Sequence, residues 1–399
     1  MSYYTPADLD IEDKRVLIRV DFNVPIKEDE AGNRKVVDDT RIRAALPTIK
    51  SVIDKNGKAI LMSHLGRPKG VPNQAFSLSP VALKLEELLG KRVRFASHLT
   101  GDAVREVIDR MPGGSVILLE NTRFYPGEKQ NDPALAEEIA ALADVYINDA
   151  FGTAHRAHAS TAGVTEHVSV AAMGYLLEKE VNYLSKILND AEHPFVGIIG
   201  GAKVSDKIGV IESLLEKVDK LLIGGAMSYT FLKALGHNIG TSLFEEDKLA
   251  DAKLLFERAD GKILLPSDHI AATAFDNDAP HGVVAGDIPE GQMGLDIGPD
   301  SAAAYREVLL NAKTIVWNGP MGVFELPNYA KGTLSVAQAL ADATEQGALT
   351  VVGGGDSVAA IKQMRFENKV SHVSTGGGAM LEFLEGKTLP GIDALTEKA

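Results

Sequence analysis

At 399 residues the chain exceeds the size at which one hydrophobic core usually stops growing, so two domains are expected. A formal net charge of −14 speaks against nucleic-acid or membrane-surface partners, which require a basic footprint; a local basic cleft within an acidic exterior is compatible with it. With no cysteine there are no disulfides, thiolate metal sites or cysteine nucleophiles, and a reducing compartment suits the chain.

The first eight residues lack the basic start and apolar stretch of a signal peptide, and no apolar run approaches the roughly 20 residues that span a bilayer. A cytoplasmic protein without membrane association is expected. Short apolar, β-branched runs then recur at residues 15–22, 59–63, 115–120 and 145–148, and again at 195–199, 220–223, 262–265, 314–317 and 349–352. Helix-period segments alternate with them, including residues 80–89, which stop at Gly90, then 133–142 and 336–344. Continuous apolar runs alternating with helices mark parallel sheets covered on both faces. The expected fold is α/β, with two doubly wound, Rossmann-like domains joined by a central helix and hinge. The charged, periodic stretch 174–190 is the expected connector, between an N-terminal domain of residues 1–173 and a C-terminal domain of residues 191–385. Residues 34–39 and 280–294 read as excursions from the core.

Open parallel sheets bind ligands outside the carboxyl ends of their strands, so the residues following each run carry the functional signal. In the first half these are Asp21, Phe22 and Asn23; Ser63, His64, Leu65, Gly66 and Arg67; Glu120 to Arg123; and the segment from Asn148 through Arg156 to His158. Arg41 precedes a helical pattern starting near Ile42, and Arg19 lies within the first strand. If the sheet closes as expected, Arg41, Arg67, Arg123, Arg156, His64 and His158 converge on one face. The planar guanidinium fork matches carboxylate and phosphate oxygens, so the cluster suits a small, highly anionic molecule, although any single arginine could be a surface ion pair. His155 and His158 are poor metal ligands, because Arg156 between them repels a cation and no acidic or histidine partner stands at ligand spacing.

The second half ends its strands differently: Gly200, Gly201, Ala202, Lys203 and Lys207; Gly224 and Gly225; Asn318, Gly319 and Pro320; Gly353, Gly354, Gly355, Asp356 and Ser357; and Gly376, Gly377 and Gly378. Glycine lets the backbone approach a ligand, and a following helix N-terminus offers free N–H groups to phosphate. Lys203 and Lys207 share a helical face if the helix has begun there. Asp356 is placed to hold Mg²⁺ or to cap the next helix, and both can be partly true. Residues 200–207 lack the Walker A spacing, and Val358 breaks the dinucleotide fingerprint after Gly353 and Gly355. The failed fingerprint counts against an NAD-dependent dehydrogenase. A hinged anion-capture protein would explain the arginines but not the glycine-rich second half.

These strings, in this order along the whole chain, resemble phosphoglycerate kinases. The resemblance rests on residues 19–25, 63–68, 152–158, 200–204, 317–325, 353–357 and 374–379. It implies reversible phosphoryl transfer between 1,3-bisphosphoglycerate and ADP, giving 3-phosphoglycerate and ATP, in a hinge-bending monomer of glycolysis. It places the acid substrate against Asp21, Phe22, Asn23, Arg41, His64, Leu65, Gly66, Arg67, Arg123 and Arg156. The nucleotide falls to Gly201, Ala202, Lys203, Lys207, Gly225, Gly294, Asn318, Pro320, Glu325 and residues 353–357, with Mg²⁺ on Asp356 beside the phosphates. Arg41, Lys203, Gly376 and Gly377 would serve the transferring group. The family's C-terminal tail returns to the N-terminal domain, which assigns residues 386–399 there. The nucleophile of the ATP-consuming direction is a carboxylate, ionised at neutral pH with a pKa of about 3.5, so no general base is expected.

Overall fold

The apolar runs of the first half lie side by side as parallel strands, because segments such as Arg-Val-Leu-Ile-Arg-Val have no polar face to turn toward water. The computed structural model describes residues 2–398, so that Met1 and Ala399, the outer ends of the expected N-terminal domain, lie outside the described residues. The chain divides into two units, residues 1–182 with 388–399, and residues 183–387.

In the first unit the strands are β1 (Arg15–Val20), β2 (Ile26–Glu28), β3 (Arg34–Val36), β4 (Lys58–Met62), β5 (Val93–Phe95), β6 (Val116–Leu118), β7 (Val145–Asp149) and β8 (Ala171–Met173). Six of them form a parallel sheet in the order β5-β6-β4-β1-β7-β8, while β2 and β3 make a separate antiparallel hairpin. Helices α1 (Thr40–Asp54), α2 (Ser79–Leu89), α3 (Asp102–Asp109) and α4 (Pro133–Ala140) connect the strands. Gly90 ends α2 in the left-handed region at φ +62°, donating to the Glu86 carbonyl, a conformation that glycine adopts without strain. From β1 the chain winds toward β5, then crosses to β7 on the other side. The crevice outside the carboxyl ends of β1 and β7 is therefore a topological switch point. The C-terminal residues pack on this sheet: Asn148 Nδ2 donates to the Gly391 carbonyl at 2.8 Å, and Gly391 N–H to the Ala154 carbonyl at 2.8 Å.

The stretch read as a connector forms α5 (Tyr175–Asn189), and the division between the units falls within it. Its first turn is held by Asp149, whose Oδ1 accepts the Leu176 N–H at 2.8 Å, a carboxylate against the positive end of the helix.

The second unit has strands β9 (Phe195–Ile199), β10 (Lys220–Ile223), β11 (Ile263–Leu264), β12 (Asp268–Ala272), β13 (His281–Ala285), β14 (Met293–Ile297), β15 (Thr314–Asn318), β16 (Leu349–Gly353) and β17 (His372–Val373). Its helices are α6 (Ile208–Leu215), α7 (Met227–Ala234), α8 (Leu249–Arg258), α9 (Pro299–Leu310), α10 (Lys331–Glu345), α11 (Gly355–Gln363) and α12 (Gly377–Leu384). The parallel order β11-β10-β9-β15-β16-β17 places a second switch point between β9 and β15. The region 280–294, read as an excursion, supplies β13 and part of β14 to an antiparallel sheet, β13-β12-β14, and β13 is mostly exposed. Among the described residues no helix is long and apolar enough to cross a membrane.

Candidate active site

At the β1/β7 crevice, Asp21 is buried and accepts from Arg41 Nη1 at 2.8 Å. Arg41 lies inside the first turn of α1, which begins at Thr40, two residues before the expected start near Ile42. Asn23 Oδ1 accepts the Gly66 N–H at 2.9 Å, and the Arg123 guanidinium donates to the Gly66 carbonyl at 2.7 Å, so two expected ligands grip one loop. Gly66 has φ +60° and packs against the Phe76 ring, which leaves no room for a side chain. Phe22 and Leu65 bury their side chains in the hydrophobic core, and their main chains are already bonded: the Phe22 N–H donates to Ser63 Oγ and its carbonyl accepts the Val24 N–H, while Leu65 exchanges two bonds with the Asn121 side chain. Arg156 Nε donates to His155 Nε2 at 3.0 Å, and Arg67 is exposed on the same loop as Gly66.

Shared electrostatics link several of these groups. His64 is 4% exposed, and burial together with Arg19, Arg123, Arg41 and Arg156 holds its imidazole well below the ordinary histidine range. Burial also holds His158 down at about 4, with Arg19, Arg123 and Arg156 adding to the effect against Glu128. Arg123 is pushed down to about 10 by burial and by Arg156 and Arg19, and its Nε is buried with no hydrogen-bond partner among the described residues. Arg67 is not among the groups that act most strongly on His64. Arg19, by contrast, stands within this cluster and was not among the expected ligands. Its signal was a second arginine in an otherwise apolar strand, 1% exposed, where a cation has to be matched by specific partners.

At the β9/β15 crevice the strand ends are stitched backbone to backbone. Gly200 N–H donates to the Asn318 carbonyl at 3.0 Å, Gly201 N–H to Pro320 at 3.1 Å, and Gly225 N–H to Met321 at 2.9 Å. A side chain at Gly319 would overlap the Gly200 carbonyl, and its φ of +103° already favours glycine. The Gly319 N–H donates to Ser357 Oγ, tying this crevice to α11. Gly354 is the N-cap of α11, so Asp356 does not cap the helix but stands exposed in its first turn. Gly376 precedes α12 as its N-cap, and Gly377 lies against the backbone of Gly354 and Gly355, which brings two helix N-termini together. Asn318 Nδ2 is buried without a partner among the described residues.

The condition for a shared lysine face is not met. Helix α6 begins only at Ile208, with Lys207 as its N-cap, so Lys203 and Lys207 do not share a helical face. Lys207 Nζ donates to the Gly200 carbonyl at 2.6 Å and the Asn318 carbonyl at 3.0 Å, and burial pushes it down to about 8. Lys203 and Ala202 are exposed on the preceding loop. Glu325 is exposed beyond β15. Gly294 lies in β14, its N–H bonded to Ser242 Oγ at 2.9 Å and its Cα covered by the Tyr229 hydroxyl.

His269, in the neighbouring strand β12, is 1% exposed, its ring centroid 5.5 Å from that of Tyr229 and its Nδ1 without a partner among the described residues. Burial holds it down at about 4. The unfolded chain therefore takes up a proton near pH 6.5 that the folded chain refuses, so this histidine costs stability increasingly as the pH falls. Relative to His269→Gln, the wild-type chain should lose roughly 2 kcal/mol between pH 7.5 and pH 5 in urea unfolding. A gap that does not change with pH would contradict this.

With this geometry in place, the chain can be compared with known proteins. The family model described as phosphoglycerate kinase matches residues 7–387. The chain belongs to the phosphoglycerate kinase family. Among its relatives, the phosphoglycerate kinase of Salinibacter ruber is 59% identical over 397 residues, and that of Lactobacillus johnsonii 56% identical over 410, each alignment covering all of both chains. The solved phosphoglycerate kinase of Coxiella burnetii superposes with a TM-score of 0.88 at 42% identity, over 99% of this chain and 100% of that one. That of Pyrococcus horikoshii gives 0.85 at 32% identity, over 98% of each. Membership makes the chain a phosphotransferase with a carboxyl acceptor, an enzyme of glycolysis. The matches include both the arginine-rich and the glycine-rich strand ends, and leave the fold class as expected.

The family also implies a magnesium ion. Among the described residues no cluster of three or more His, Asp and Glu side chains forms a metal cage. One exposed carboxylate, Asp356, beside two helix N-termini is nonetheless the donor set expected for Mg²⁺ that arrives with nucleotide phosphates, since such sites use one or two carboxylates and several phosphate or water oxygens.

Proposed function

We propose that the first unit holds 3-phosphoglycerate or 1,3-bisphosphoglycerate at the β1/β7 crevice, that the second holds ADP or ATP at the β9/β15 crevice, and that the phosphoryl group passes directly between them. The encirclement of His64 by four arginines carries the first half of this reading, because such a concentration of cations in an acidic protein needs a polyanion to balance it. Arg123 and Arg156 are suited to the phosphate and carboxylate oxygens, with Arg67 at the rim, and the Asp21–Arg41 pair orients the guanidinium nearest the start of α1.

The paired N-termini of α11 and α12 and the exposed Lys203 give the second unit the fixed positive charge that phosphoryl transfer calls for. Lys203 and Arg41 neutralise the moving group, and the Gly376 and Gly377 amides lie ready for its oxygens. When bound, Mg²⁺ on Asp356 would offset charge on the nucleotide phosphates. The substrate carboxylate attacks without a general base, which agrees with buried histidines held neutral rather than poised near pH 7.

Because each unit takes a different substrate, transfer requires closure about segment 174–190, which also keeps water from the acyl phosphate. The domains so defined, residues 1–173 with 386–399 and residues 191–385, act in one monomer in the cytoplasm. A coupled assay with ATP, Mg²⁺ and 3-phosphoglycerate tests the reading. Turnover that needs all three supports it, and saturable binding without turnover would contradict it.

A further inference from the structure

Glu128, in the short turn after Arg123, is 0% exposed. Its Oε1 lies 2.6 Å from Ser160 Oγ, and its Oε2 accepts the Ser160 N–H at 3.0 Å. Ser160 Oγ lies 2.9 Å from Arg19 Nε. Arg19 Nη1 reaches the Val20 carbonyl at 2.5 Å, and Nη2 lies 3.3 Å from His64 Nδ1.

The direction of each bond follows from the groups themselves. A guanidinium only donates, and an ionised carboxylate only accepts. Ser160 Oγ therefore accepts from Arg19 and passes its own proton toward Glu128. Arg19 likewise donates to His64 Nδ1, which must then carry the lone pair. A neutral imidazole with Nδ1 unprotonated keeps its proton on Nε2. Asp21 Oδ1, 4.0 Å from the same Nδ1, is beyond hydrogen-bond reach, and so is Glu128 Oε1 at 3.7 Å from His158 Nδ1.

We propose that Glu128 and Ser160 are positioning residues that act through Arg19 to hold His64 as its Nε2–H tautomer, so that it offers a hydrogen-bond donor to an oxygen of the acid substrate. Carboxylate and phosphate oxygens only accept, and the opposite tautomer would turn a lone pair toward them. Glu128 also supplies the negative charge, one hydroxyl removed, that lets an arginine lie inside an apolar strand. The substrate's place in this inference rests on the function proposed above; the tautomer does not.

The test uses the full chain with ¹⁵N-labelled histidine, observed by two-bond proton–nitrogen correlation, which distinguishes a protonated from an unprotonated ring nitrogen. Wild-type His64 should show a protonated Nε2 and a bare Nδ1 at pH 7. Ser160→Ala removes the bridging hydroxyl. Glu128→Gln keeps the shape but cannot accept both the N–H and the hydroxyl of Ser160 without setting its amide against one of them, and it serves if the first variant folds poorly. Either change should bring an Nδ1–H signal at His64 and raise the KM for 3-phosphoglycerate roughly tenfold, about the loss of one hydrogen bond, with the KM for ATP unchanged. An unaltered tautomer in both variants would overturn the proposal, as would equal rises in the two KM values. If 3-phosphoglycerate fails to move the wild-type His64 signals, the substrate's placement and the donor role fall together, whatever tautomer the variants show.

Discussion

Lys203→Ala should lower kcat by roughly 100- to 1,000-fold while leaving the KM for the nucleotide within about threefold. The contrast with Lys207 is the reason. Lys207 is half-buried and already donates to the Gly200 and Asn318 carbonyls, so its ammonium braces the strand ends that frame the crevice. Lys203 is exposed on the loop between β9 and α6, where its charge helps hold the Glu245 carboxyl below its ordinary range. An exposed cation not tied to main-chain carbonyls as Lys207 is can follow the phosphoryl group, whose charge is spread over its oxygens as it moves. Stabilisation gained only at that stage appears in turnover rather than in binding. Steady-state kinetics over both substrates would separate the two. Collapse of nucleotide affinity with turnover intact would show that Lys203 is a ground-state ligand.

Arg123→Ala should act in the other direction, raising the KM for 3-phosphoglycerate on the order of 100-fold and leaving the nucleotide KM alone. The guanidinium is partly buried, it fixes the Gly66 carbonyl at 2.7 Å, and its Nε has no partner among the described residues. Truncating one member of a buried charge-assisted pair costs about 3 kcal/mol, which corresponds to that factor. Gly66 loses a donor in the same variant, so the unchanged nucleotide KM also serves as the control for folding. A variant whose two KM values rise in step would contradict the assignment of Arg123 to the acid substrate.

Much of this arrangement is legible in the chain before it folds. Parallel strands covered on both faces have to be continuously apolar, so the runs at 15–22, 145–148, 195–199 and 314–317 show themselves as β1, β7, β9 and β15, and with them the strand ends where ligands bind. The antiparallel sheet 268–297 is hidden for the converse reason. Its strand β13 is mostly exposed, and β12 opens on Asp268 and His269, which a hydropathy pattern reads as loop although both are buried. Asp268 is stabilised there by contacts that no local pattern reveals, accepting from the Asp300 and Ser301 N–H groups at the start of α9. The start of α6 is left open by the sequence because the polar stretch Val-Ser-Asp-Lys resembles a first helical turn, whereas its lysine is drawn back to carbonyls at the ends of two strands. Arg19 and Glu128 are harder still. Their partners, Ser160 and His64, lie far away in the chain, and only the fold brings a serine between an arginine of β1 and a glutamate of the turn after Arg123.

The division of labour between the two crevices is most directly tested by hydrogen–deuterium exchange of the full chain with each substrate alone. With 3-phosphoglycerate, protection should appear at segments 21–23, 63–67, 121–124 and 151–158. With ADP and Mg²⁺ it should appear at segments 200–207, 318–325, 353–357 and 374–378. Nucleotide protection centred on the arginine-rich segments of the first unit would contradict the account, because the glycine-rich crevice would then have no ligand to serve.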